Sequence, residues 1–137
     1  MICRTAAVAA LTAGFLEDPR PTFVDYIDSE VLPARCHWAR DADASLCDIA
    51  LEALEVAWPA QVDEMGFYPP MLDDDGLLDL YITEQWTDGG AYALGTYVDE
   101  DTEDGRMGSH AYLALAPSIG PELMPSYVDH EFNHVLQ

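Results

Sequence analysis

Apolar and polar positions alternate at two different periods along this chain. Leu46, Ile49, Ala50, Leu54 and Trp58 recur at helical spacing, which predicts an amphipathic helix ending at Pro59. Ser45 and Asp48 have the spacing of a capping box at its start. Residues 34–39 read as a strand and 77–83 as a buried strand; residues 91–98 and 110–116 read as a hairpin joined by the acidic loop 99–109. At the far end Val128, Phe132, Val135 and Leu136 form an apolar stripe, with Tyr127, His130, Glu131 and His134 on the other face of the same helix. Pro121 and Pro125 suit its lead-in and first turn. The order predicts an α+β fold: a mixed, twisted sheet of about four strands with a backing helix and a C-terminal helix on it.

Length and composition fit one domain, since half of the 137 residues are hydrophobic. Charge narrows the partners. Twenty-six acidic residues face five basic ones, all arginine, for a net charge of −21. That balance excludes electrostatic binding to nucleic acid or to an anionic membrane, and self-repulsion makes stability depend on screening ions. No run of about 20 apolar residues exists to span a bilayer. Residues 1–20, with Arg4 ahead of an Ala-rich run, read either as a secretory signal or leader or as a helix of the mature domain. Cys36 and Cys47 would sit on a strand and the helix that follows it, so a disulfide and two buried thiols both stay open.

The sharpest chemistry lies in His130-Glu131-Phe132-Asn133-His134, an HExxH pattern. Positions i and i+4 share a helix face, so His130 and His134 can bind one Zn²⁺ while Glu131 serves as general base. With four histidines in the chain, the chance of such a match at random is roughly 1%. The flanking residues are mostly apolar, as a packed helix requires.

This end of the chain resembles the zincin metallopeptidases, and the string HEFNHVLQ is similar to secreted metalloproteases of myxobacteria and related bacteria. The segments LEALEVAW (51–58), DEMGFYPP (63–70), LLDLYITE (77–84), GGAYALGTYV (89–98) and AYLALAP (111–117) fall in the order such proteins use. The resemblance implies a zincin-like upper subdomain, formed by residues 21–137, with the lower part of the catalytic domain missing. It implies a zinc-dependent endopeptidase acting on a polypeptide substrate. The metal would acidify a water, and Glu131 would take its proton and later pass it to the leaving amine. A third ligand would come from downstream. Gln137 stands where the metzincin branch has glycine, which argues against that branch. The edge strand that pairs with substrate would be residues 91–98.

Other polar residues have simpler readings. Asp73, Asp74, Asp75 and Asp79 could hold Ca²⁺, but their spacing is not that of an EF-hand, and a solvated turn is the favoured reading. Asp99, Glu100, Asp101, Glu103 and Asp104 read as a polar hairpin loop. His37 and His110 read as packed strand histidines rather than ligands. The alternative function is a non-catalytic extracellular module, calcium-stabilised, in which the HExxH helix is structural. Both readings place the protein outside the cytoplasm.

Overall fold

The chain runs β1 (Cys3–Val8), β2 (Asp25–Asp28), β3 (Ala34–Trp38), α1 (Ala44–Trp58), β4 (Leu78–Ile82), β5 (Ala91–Asp101), β6 (Met107–Leu115) and α2 (Gly120–Leu136). This architecture comes from a computed structural model that describes residues 3–8, 20–101 and 107–137. The strands form one mixed sheet in the order β1-β5-β6-β4-β3-β2. Strands β3 and β4 are parallel and joined across α1, β4 and β6 are parallel, and β5 and β6 form an antiparallel hairpin. The fold is α+β, as expected, with six strands rather than about four.

The two additional strands are at the edges. β2 is four residues long and exposed at each of them, too short for an alternating pattern to stand out. β1 falls in the segment read as a leader or a helix; the described residues there are a strand, parallel to β5. It removes β5 from the edge position expected for residues 91–98, because β5 pairs with β1 on one side and β6 on the other. The hairpin strands are also longer than expected. Asp99, Glu100 and Asp101 belong to β5, while Glu103 and Asp104 lie outside the described residues.

Both helices lie on one face of the sheet. Leu46, Cys47, Ala50, Leu51, Leu54 and Ala57 of α1 meet Ala34, Cys36, Leu78, Leu80, Ile82, Leu113 and Leu115 of the strands, and Met124, Val128 and Phe132 of α2 complete this core. Cys36 and Cys47 are disulfide-bonded across it, with Cα atoms 5.5 Å apart, tying β3 to α1. The capping box does not form. A 3₁₀ turn, Asp41–Asp43, runs directly into α1, so Ser45 already lies inside the helix, where it cannot take the extended backbone of an N-cap. Asp43 instead accepts a hydrogen bond from Arg40 at 3.0 Å. Helix α2 begins at Gly120, which places Pro125 inside it rather than in its first turn.

The opposite face of the sheet carries Tyr81, Tyr92, Leu94, Tyr112 and Ala114. The segment from Arg20 lies over it. Phe23 packs on His37 with ring centroids 4.4 Å apart, and the Arg20 guanidinium sits 4.5 Å above the Tyr112 ring.

Candidate metal centre

Helix α2 is oriented by its apolar stripe. Met124, Val128 and Phe132, four residues apart, are fully buried, and Phe132 stacks on Trp58 of α1 at 5.3 Å. Val135 and Leu136, expected in the same stripe, are only half-buried at its end. With that face turned inward, His130 becomes exposed and His134 half-exposed at the rim of the helix layer.

The two imidazoles converge. Their Nε2 atoms are 3.2 Å apart and the rings cross at 73°. Two nitrogens each roughly 2.0–2.1 Å from a tetrahedral zinc stand about 3.3 Å apart, so this donor pair fits such an ion. Among the described residues, no third His, Cys, Asp or Glu joins them; the one group of three such donors lies elsewhere.

Glu131 does not share the histidines' open face. One residue advances a helix by about 100°, whereas four return to within about 40° of the start. Glu131 is therefore turned toward the sheet. It is fully buried, and its Oε2 accepts the backbone N–H of Ala93 in β5 at 2.9 Å. Ala93 lies on the helix side of β5, opposite Thr5 of β1. The sequence pattern alone had grouped Glu131 with His130 and His134.

A neutral side chain with no local sequence signal of its own supports the helix. Gln61, buried in the π-helical turn Pro59–Glu64, bonds to Asp129 and to Asn133 of α2. The only hint was Pro59, which must interrupt the α-helical ladder.

The other candidate donors gather on the opposite face of the sheet. Asp73, Asp75 and Asp79 bring carboxylate oxygens within 4.8 Å of one another, close enough to hold a cation. Arg20 already bridges two of them, at 2.7 Å to Asp73 and 2.9 Å to Asp79. Burial pushes the Asp79 carboxyl up to about 7; its hydrogen bond with Asp73 acts in the same direction, and Arg20 opposes both. Residues 73–76 do form a turn, with Gly76 at φ +75°. His37 is buried and its Nδ1–H donates to the Leu80 carbonyl at 3.1 Å; burial lowers its pKa. His110 contacts Asp73 at 3.1 Å. Both histidines are thus committed on the face away from α2. No family model, no curated protein and no solved structure matches the chain. The site's own geometry therefore carries the functional reading.

Proposed function

We propose that this chain carries the zinc-binding and water-activating elements of a zinc-dependent endopeptidase. The observation that carries this reading is the 3.2 Å convergence of His130 and His134 Nε2 on one helix turn, with Glu131 between them in sequence. His130 and His134 would hold the ion as neutral imidazoles, and the remaining protein ligand would come from outside the described residues. Zinc, when bound, supplies Lewis acidity, polarising a peptide carbonyl and acidifying water. Glu131 would act as the general base, and because it is buried against the sheet its carboxylate would have to turn from the Ala93 N–H toward the histidines' face to do so. Its Oε2 faces a backbone N–H, which can only donate, so the carboxylate is held in a defined orientation.

The disulfide suits an oxidising, extracytoplasmic compartment, and no helix among the described residues is long and apolar enough to cross a membrane. Metal analysis after dialysis against zinc tests the centre. The chain should retain zinc, and the His130→Ala, His134→Ala double variant should not; equal retention by both removes the site.

The closeness of Asp73, Asp75 and Asp79 favours a second reading, a calcium-stabilised, non-catalytic module. Thermal denaturation separates the two. On the peptidase reading Tm rises equally in CaCl₂ and in NaCl of matched ionic strength, because Arg20 already satisfies Asp73 and Asp79. A rise specific to calcium that Asp75→Asn abolishes would favour the module.

A further inference from the structure

We propose that Gln61 is a positioning residue for the His130–His134 pair, an inference that rests on the zinc-peptidase reading. Pro59 has no N–H to continue the ladder of α1, and the chain responds with a wider turn in which the Met65 N–H bonds to the Ala60 carbonyl, five residues back, at 3.0 Å. Such π-turns recur at functional sites. This one swings Gln61 inward until 4% of it is exposed.

There the amide uses both of its ends on α2. Nε2 donates to the backbone carbonyl and to the carboxylate of Asp129, both at 2.9 Å, and Oε1 accepts from Asn133 Nδ2 at 3.1 Å. Asp129 immediately precedes His130, and Asn133 immediately precedes His134. One buried side chain thus grips the residue before each imidazole. The stacking of Trp58 on Phe132 sets how closely the helices approach, but a ring face tolerates rotation and sliding. Directional hydrogen bonds do not. An unwinding of the turn from Asp129 to His134 large enough to part the two Nε2 atoms would stretch the contacts to Asp129 and Asn133.

The test is zinc affinity of the full chain, measured by competition with a chromophoric chelator, together with the visible spectrum of the cobalt-loaded protein. Gln61→Met, similar in size but without hydrogen bonds, should weaken zinc binding by about tenfold and alter the cobalt bands, at a temperature where circular dichroism shows it folded. Gln61→Glu should weaken binding too, by placing a carboxylate against Asp129. Adding Asp129→Asn should recover most of that loss, since the new carboxylate then accepts from Asn133 and from the introduced amide. A folded Gln61→Met with unchanged affinity and cobalt spectrum overturns the inference. If Gln61→Met does not fold, failure of Asp129→Asn to rescue Gln61→Glu overturns it. If the parent holds zinc no better than the double histidine variant, the peptidase reading falls first and this inference falls with it.

Discussion

On the helix side of the sheet, apolar side chains fill the space between two helices and strands β3 to β6, and the polar groups that matter are at the rim or held by a few hydrogen bonds. On the other side, charges lie within the packed layer: Arg20, Asp73 and Asp79 form a network beside His37, His110 and Tyr112. The same residue types serve different ends. His130 and His134 point at each other near solvent and are available to an outside ligand, whereas His37 and His110 are spent on a carbonyl and a carboxylate. An acid under the helices, Glu131, accepts the backbone N–H of Ala93, whereas Asp79 meets a guanidinium and another acid. The contrast separates a face built to present groups from a face built to neutralise them.

The largest effect that would break this contrast is at Glu131. Glu131→Gln keeps an oxygen for the Ala93 N–H, so the fold and zinc binding should persist while cleavage of casein falls by about 10²- to 10⁴-fold. This applies to a form that cleaves casein and is inhibited by a zinc chelator; a Gln variant as fast as its parent would show that Glu131 is not the base.

Next in size is Arg20→Met, which leaves Asp73 and Asp79 without their shared cation. It should cost about 3 kcal/mol, read as a fall in Tm of roughly 10 °C, with zinc affinity unchanged. A loss of zinc affinity in the folded variant would show that the two faces are coupled.

The most specific effect is in pH. Asp79 has a folded pKa of about 7, above its ordinary value near 3.8, so the folded state binds this proton more tightly than the unfolded chain does. Its contribution to stability is fully present below pH 4 and is lost as pH rises through 7. His37 acts in the opposite sense: its lowered pKa means stability is lost as pH falls below about 6.5. Asp79→Asn removes the first term. In denaturant titrations the difference between variant and parent should move in favour of the variant from pH 4 to pH 7 and level off above. A difference independent of pH would mean that Asp79 titrates normally.

What could be read from the sequence divides along the same line. The helix α1, the buried strand β4 and the HExxH helix were legible because their signals are local periods and a motif with fixed spacing. The network on the second face was not. Asp79 is buried on the second face of a strand whose other residues are apolar, and its counterion, Arg20, is 59 residues away in the chain. Nothing local to Asp73–Asp79 distinguishes an acid paired with a distant arginine from an acid in a solvated turn. Gln61 was invisible for a related reason, since a lone neutral amide carries no pattern and its partners on α2 are 68 and 72 residues away. The burial of Glu131 could have been inferred from the 100° step between successive helical residues.

Among the described residues, strand β2 closes the sheet with one side unpaired, and Val24, Tyr26 and Ile27 on or beside it are exposed. Such an edge is a template for pairing with another molecule and, in a chain with these apolar side chains, for aggregation. Its sequence, Asp25-Tyr26-Ile27-Asp28, begins and ends with an acid. In an antiparallel pairing of two copies centred on Tyr26 and Ile27, each Asp25 would face the other copy's Asp28. Arg35, bonded to Asp28 at 2.6 Å, keeps that carboxyl below the usual range and therefore ionised. Four residues thus combine a sticky surface with an acid at one end and an ion pair at the other, so that edge-to-edge association would bury charged groups where it would begin.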